Sequence, residues 1–316
     1  MSISKKYAAE FIGTMVLVLL GCGTAMLVGC DAKNGGGYIL TALAFGLVIV
    51  GMAYSIGNIS GCHINPAVSL AVFLTGGISS AELIGYIVAQ CFGAFAGSGL
   101  LAAIFILGDI PDQTGGFGSN GLAGVGNNAV AGLLVEVLLT FVFVITILGV
   151  TSKKANHGSF GGLVIGLTLT LVHIFGIGLT GTSVNPARSI GPAVASAING
   201  NAAPLASLWV FVAGPLIGAF IAAVTYKVLE GPSKAAPAPV KKPAPVKKPA
   251  PVVPVNPAPA PQKAKEESAP APVPAPEKTE EKNAQQKKIE IPIIDDDEKK
   301  ASDLLKEINQ AFNDEK

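Results

Sequence analysis

Six stretches of the chain are apolar and almost free of charged side chains, and each is long enough to cross a membrane as a helix. A helix of about 20 residues spans the hydrocarbon core of a bilayer. The stretches cover residues 7–28, 38–57, 83–107, 129–150, 160–179 and 205–226. This pattern predicts an all-α polytopic membrane protein with six transmembrane helices.

Two further apolar segments, residues 58–78 and 180–198, are interrupted near the middle by Asn-Pro and are rich in Gly, Ser and Asn. Their apolar parts are too short to span a bilayer. Non-helical backbone is stable at membrane depth only where protein or a water-filled cavity satisfies its polar groups. The two segments therefore predict re-entrant half-helices that line a lumen.

The chain also repeats itself. Glu10 near the start of the first span is matched by Glu136 in the fourth, and the Asn-Pro-Ala that begins at Asn65 is matched by the one at Asn185. Three spans separate equivalent points, and because three is an odd number the two copies must cross the membrane in opposite directions. We expect inverted repeats at about 1–115 and 125–230, whose half-helices enter from opposite faces and meet near the midplane.

Composition divides the chain near residue 230, which gives a membrane domain at 1–230. Residues 231–316 hold 16 of the 22 prolines and 15 of the 22 lysines and arginines. Such a segment cannot bury a core, so it is predicted to be a disordered cytoplasmic tail rich in Pro, Ala and Lys. Residues 298–313 fit a short amphipathic helix that docks on an unidentified partner, and a frayed, solvated terminus is the alternative. Its apolar face consists of Leu304, Leu305, Ile308 and Phe312.

The positive charges of residues 1–230 fall mostly on one side of the predicted spans. Lys33 and Arg188 lie on one side and five lysines on the other, so both termini are expected in the cytoplasm of a cell-membrane protein. The five are Lys5, Lys6, Lys153, Lys154 and Lys227. The four cysteines have no paired spacing, which indicates neither disulfides nor a metal site. We expect no cofactor and no nucleic-acid partner.

Asn-Pro is a favourable way to begin a helix, because asparagine caps the first turn and proline at the first position loses no hydrogen bond. Two helix N-termini that face one point carry about half a positive charge each and repel cations there. The side-chain amides of Asn65 and Asn185 can donate to a neutral oxygen and interrupt a proton relay through a file of water.

With His-Ile-Asn-Pro-Ala-Val-Ser at 63–69 and Ser-Val-Asn-Pro-Ala-Arg-Ser at 183–189, residues 1–230 resemble the major intrinsic protein family, specifically the aquaporins. The resemblance implies a passive water channel and no enzyme activity, with water as the permeant, contact with membrane lipids and a homotetrameric assembly. A third Asn-Pro-Ala at 256–258 lies in the tail without any spanning context, and we expect no pore role for it. The pore motifs are Asn65, Pro66, Ala67, Asn185, Pro186 and Ala187.

The resemblance also implies a selectivity filter made of Phe45, His173, Thr182 and Arg188. Two bulky rings in this set favour an aperture about one water molecule wide. The alternatives are core packing for Phe45, a satisfied buried histidine for His173 and an ion-pair role for Arg188.

Family resemblance further implies that Glu10 and Glu136 accept hydrogen bonds from the backbone of the re-entrant loops; a proton relay is the alternative. An acceptor ladder of carbonyls is expected opposite the motifs, and the Cys62 thiol either faces the lumen or packs. The ladder comprises Gly61, Cys62, His63, Gly181 and Thr182.

Ser189 and Ala193 follow the pattern of water channels, whereas Val212 stands where these channels commonly have tryptophan. Three other functions remain open: a glycerol or small-solute facilitator, a proton-coupled transporter, and a membrane anchor for the tail.

Overall fold

The computed structural model describes residues 1–30, 35–152, 154 and 158–231. Within these ranges six long helices of 20 to 28 residues meet the length and hydropathy of membrane spans, which confirms the six predicted transmembrane helices. The predicted tail helix at 298–313 and the Asn-Pro-Ala at 256–258 lie outside the described residues. The long helices are α1 Ile3–Val28, α2 Gly36–Ser60, α4 Ser80–Leu107, α5 Ala129–Val150, α6 Gly161–Thr180 and α8 Ala203–Glu230.

Two short helices, α3 Pro66–Leu74 and α7 Pro186–Ile198, follow the second and fifth spans. Both begin at the proline of an Asn-Pro pair, and the asparagine caps the helix. An extended loop joins each short helix to the span before it, because Gly61 and Gly181 end those spans in the left-handed conformation. The half-helices are therefore shorter than the predicted segments: residues 58–60 are still part of α2.

Glycines bring the backbones of the spans close together. A Cβ atom on Gly93 would lie 2.3 Å from the carbonyl oxygen of Phe11, which fixes the approach of α4 to α1. Gly218 does the same for α8 and α5, with 2.4 Å to the carbonyl oxygen of Val137. Small residues at such crossings allow tight packing where lipid removes the hydrophobic driving force between helices.

Each half-helix packs against the third span of the other repeat: α3 contacts α8, and α7 contacts α4. The spans pair in the same mirrored way, α1 with α4 and α5 with α8, while α2 and α6 pair across the two repeats. The exchange of half-helices between repeats is the packing that inverted copies require if both re-entrant loops are to meet at the centre.

Polar side chains are concentrated inside the bundle and large apolar ones outside. Phe92, Leu171 and Phe175 are more than 60% exposed, as expected for surfaces that face lipid. By contrast, several ionisable or amide side chains are less than 9% exposed. Among them are Glu10, His63, Asn65, Gln90, Asn120, Glu136, His173, Asn185 and Arg188. Such residues inside a membrane bundle indicate a functional centre.

Candidate pore

Three cavities follow one another through the bundle. The outer cavity, named after the predicted orientation, has a volume of about 490 Å³, and the inner cavity has about 510 Å³. A narrow cavity of about 20 Å³ lies between them. It shares Arg188 with the outer cavity and Ile49 and His63 with the inner one. The narrow cavity therefore adjoins both larger ones through shared lining residues and is the constriction of the candidate path.

Asn65 and Asn185 both line the narrow cavity and are held in the same way. The Oδ1 atom of each accepts from the first turn of its own half-helix, at 2.8 Å from Ala67 N and 3.1 Å from Ala187 N. The Nδ2 atom of each donates to the opposite loop, Asn65 to the Val184 carbonyl (2.7 Å) and Asn185 to the Ile64 carbonyl (2.9 Å). Since a primary amide has two N–H donors, each asparagine keeps one for the lumen.

The loops before the half-helices adopt an unusual backbone. Cys62, Ile64, Thr182 and Val184 all have positive φ angles between 41° and 53°, which is uncommon for residues with a Cβ atom and rare for β-branched ones. Strained backbone of this kind persists only where its surroundings over-determine it. In both loops it leaves a run of carbonyl oxygens to which no described residue donates a hydrogen bond. The run comprises Gly61, Cys62, His63, Gly181, Thr182 and Ser183.

Two buried glutamates hold these loops. Glu10 accepts from the backbone N–H groups of His63 (2.9 Å) and Ile64 (2.6 Å). Glu136 accepts from those of Ser183 (2.9 Å) and Val184 (2.8 Å). Hydroxyl donors complete both sites: Ser60 donates to Glu10 and Thr180 to Glu136. Neither carboxylate lines the three cavities, so this geometry favours the loop-supporting role over a proton relay.

Three of the four predicted filter residues meet at the outer end of the narrow cavity. The rings of Phe45 and His173 are stacked with centroids 4.4 Å apart, and the Arg188 guanidinium carbon lies 4.9 Å from the centre of the Phe45 ring. Thr182 is fully buried, and its hydroxyl lies against Gly176. Thr182 lines none of the three cavities, and its backbone carbonyl accepts no hydrogen bond from a described residue.

His173 and Arg188 carry complementary free groups. The Nδ1–H of His173 donates to the Leu169 carbonyl at 2.9 Å, because a carbonyl can only accept, and this leaves Nε2 as an acceptor. Neither His173 Nε2 nor Arg188 Nε has a hydrogen-bond partner among the described residues. The two ion pairs found in the described ranges, Lys6–Glu82 and Lys154–Glu230, do not include Arg188. The side chains at the constriction thus provide one acceptor, His173 Nε2, and N–H donors of Arg188 that have no partner among the described residues.

Sequence reasoning did not identify several groups that shape this site. Gln90 donates to both Glu10 and Ser69, and Asn120 links the Thr180 carbonyl with the Ser189 hydroxyl. A π-helical segment, Leu17–Cys22, widens α1 beside the filter. Within it a Cβ atom on Gly21 would lie 2.5 Å from the Phe45 ring, so the missing side chain makes room for that ring. The one sequence signal for this segment is a glycine within an apolar run.

Comparisons with known proteins agree with this architecture. The family model of the major intrinsic proteins matches residues 1–226. Aquaporin Z of Brucella melitensis is 45% identical over 229 residues, which cover 72% of this chain and 98% of the relative. Aquaporin Z of Rhodopseudomonas palustris is 42% identical over 229 residues, covering 72% and 93%.

A solved structure shows the same fold at greater distance. The X-ray structure of the aquaglyceroporin from Plasmodium falciparum superimposes with a TM-score of 0.64 at 23% identity, covering 71% of this chain and 96% of that one. Together with the match of the family model over most of the chain, these findings show that the protein belongs to the major intrinsic protein family.

Proposed function

We propose that this integral membrane protein is a passive channel for water that excludes ions and protons. The observation that carries the proposal is the narrow cavity of about 20 Å³, lined by both motif asparagines together with Phe45, His173 and Arg188. A volume of this order holds about one water molecule. The aquaporin Z relatives support water as the permeant.

Water passes this path without losing its hydrogen bonds. The unpaired carbonyl oxygens of the two loops accept hydrogen bonds from one water molecule after another. The asparagines and Arg188 donate to the water oxygen, and His173 Nε2 accepts from a water hydrogen. The loop carbonyls and the asparagines are already fixed by Glu10, Glu136 and the helix caps, so they need little rearrangement as water moves. The contacts are therefore close to neutral in free energy, and flux is fast.

Ions and protons meet two barriers. The N-termini of α3 and α7 place partial positive charge at the centre, and Arg188 adds a full positive charge at the outer constriction. A water molecule whose oxygen accepts from both Asn65 and Asn185 has both of its hydrogens directed away from the asparagines, which breaks a proton relay. This is the established explanation for aquaporin-type selectivity, and the geometry of the present pair fits it.

Glycerol conduction is the competing function within the same fold. Stopped-flow light scattering on proteoliposomes, under a sucrose gradient and then a glycerol gradient, separates the two. We expect rapid water flux with low activation energy and glycerol flux close to that of protein-free vesicles. Rapid glycerol flux through the unmodified chain would make the protein a solute facilitator. Uptake driven by a pH gradient would instead support a proton-coupled transporter.

The proposal places both termini in the cytoplasm and residues 1–230 in the membrane as the channel domain, with repeats at about 1–115 and 125–230. A homotetramer with one pore in each protomer is part of the proposal, and the exposed apolar side chains of the spans supply surfaces suited to lipid and to neighbouring protomers. Residues 231–316 are proposed to be a cytoplasmic tail with a partner of its own. Equal permeability before and after deletion of the tail is the expected result if the channel is independent of it.

A further inference from the structure

Arg188 depends on a single loop carbonyl for its position. Its Nη1 donates to the carbonyl oxygen of Gly118 at 2.9 Å, and this is its one side-chain hydrogen bond to a described residue. The guanidinium is otherwise placed by its contact with the Phe45 ring. The loop between α4 and α5, residues 108–128, therefore decides where the positive wall of the filter lies.

One carboxylate organises the part of that loop that carries Gly118. Asp112 accepts through Oδ1 from the backbone N–H (2.9 Å) and hydroxyl (2.7 Å) of Thr114, and through Oδ2 from the N–H of Phe117 (2.7 Å). The Thr114 hydroxyl in turn accepts from the N–H of Gly118 at 2.9 Å. A chain of hydrogen bonds thus runs from Asp112 through Thr114 and Gly118 to Arg188.

The same loop is attached to the bundle at both ends of this chain. The N–H of Gln113 donates to the Met26 carbonyl of α1 at 2.9 Å. Asn120 donates to the Thr180 carbonyl at the end of α6 and accepts from the Ser189 hydroxyl of α7. Because the attachments use other residues, removal of the Asp112 carboxylate would relax residues 112–118 without detaching the loop.

We propose that Asp112 is a positioning residue for the selectivity filter, acting through Thr114 and the Gly118 carbonyl on Arg188. The inference rests on the proposed water-channel function. Asp112 forms no ion pair within the described part of the chain, so its carboxylate serves as an acceptor for loop donors. When the carbonyl is no longer fixed, the guanidinium moves relative to Phe45, the aperture varies in width, and the exclusion of larger solutes is weakened.

The test uses the full chain in proteoliposomes and the ratio of glycerol to water permeability. Asp112→Ala is expected to raise this ratio about fivefold, the factor that corresponds to the typical net contribution of one hydrogen bond. Asp109→Asn is the control, because it removes a carboxylate from the same loop at an exposed position and leaves the ratio unchanged. Thr114→Val, which deletes the hydroxyl at constant shape, raises the ratio, whereas Thr114→Ser stays closer to the unmodified chain.

Coupling to Arg188 separates positioning from general damage to the fold. In an Arg188→Ala background, Asp112→Ala is expected to change the ratio no further, since the group that it positions is absent. An equal effect of Asp112→Ala with and without Arg188, or no effect in either background, would overturn the positioning role. Water flux through the unmodified chain would in that case still support the proposed function. Absence of water flux in the unmodified chain would overturn both.

Discussion

The inner and outer halves of the pore have the same supports and different linings. In each half a buried glutamate accepts from two successive loop N–H groups and one hydroxyl. In each half two loop residues adopt positive φ, and an asparagine caps the half-helix and donates to the opposite loop. The two repeats therefore share the groups that build the loops.

The lining differs at every position that corresponds to the filter. Residues that are 120 positions apart in the chain are equivalent in the two repeats. This correspondence relates α2 to α6, and each re-entrant loop and half-helix to the other. The equivalents of His173, Phe45, Thr182 and Arg188 are Ala53, Ile165, Cys62 and Val68, and all four line the inner cavity. Small or apolar side chains therefore stand on the inner side where rings and a guanidinium narrow the outer side. The supports are common to both halves, and because rings and a charge occur at these four positions only in the outer lining, we expect solute selection to be confined to the outer half.

The largest effect is expected from damage to the common supports. Glu10→Gln and Glu136→Gln each replace one acceptor oxygen by an NH2 group that faces N–H donors. Each is expected to lower the free energy of unfolding by about 2–4 kcal/mol, because buried donors lose their partner. Thermal unfolding in detergent measures this loss of stability. Glu82→Gln near the start of α4 is the control, and it is expected to lower the free energy of unfolding by less than about 1 kcal/mol. If only one of the two substitutions lowered the free energy of unfolding, the two halves would not have equivalent supports.

The next largest effect is expected when Arg188 is replaced by the residue that the inner half carries. Arg188→Val removes the charge and the donors from the outer constriction and is expected to raise glycerol permeability about tenfold or more while water still passes. Val68→Ala shortens the corresponding side chain on the inner side and is expected to leave glycerol exclusion unchanged. Stopped-flow light scattering measures the glycerol permeability of both variants. Raised glycerol flux through Val68→Ala would show that the inner half also excludes solutes.

A smaller effect is expected at His173, because Phe45 and Arg188 remain in place. His173→Ala widens the constriction and removes the free Nε2 acceptor, so the glycerol-to-water ratio is expected to rise about threefold. Ile165→Ala is the matched inner variant, and its ratio should equal that of the unmodified chain. A drop in water flux for His173→Ala without any gain in glycerol flux would show that the His173 ring assists the passage of water and does not limit the size of the solute.

The smallest effect is expected at Cys62. Cys62→Thr gives the inner loop the residue of the outer loop. We expect the carbonyl, and not the side chain, to contact water at this position, so the water permeability should stay within about twofold. The measurement is the osmotic permeability per reconstituted protomer. A severalfold loss would mean that the side chain at this position protrudes into the path.

Much of this architecture is readable from the sequence because its causes are local. Long apolar runs predict the spans, and Asn-Pro predicts the capped half-helices, since each signal lies within one element. The boundaries are less accurate: residues 58–60 extend α2 because Gly61, and not the Asn-Pro pair, ends the helix.

The remaining features depend on contacts between distant parts of the chain. Gly118 contributes a backbone carbonyl, which every residue has, and meets Arg188 70 positions away. Gln90 meets Glu10 across 80 positions, and neither contact leaves a periodic or compositional mark. The π-helical turn at Leu17–Cys22 could not be predicted either, because its residues would fit an ordinary α-helix.

Two double variants decide whether the outer half alone selects the solute. The glycerol-to-water permeability ratio is compared for the outer double variant Arg188→Val/His173→Ala and the inner double variant Val68→Ala/Ile165→Ala in proteoliposomes. We predict a ratio at least about tenfold above that of the unmodified chain for the outer pair and an unchanged ratio for the inner pair. Equal ratios for the two pairs, or a rise confined to the inner pair, would contradict the account.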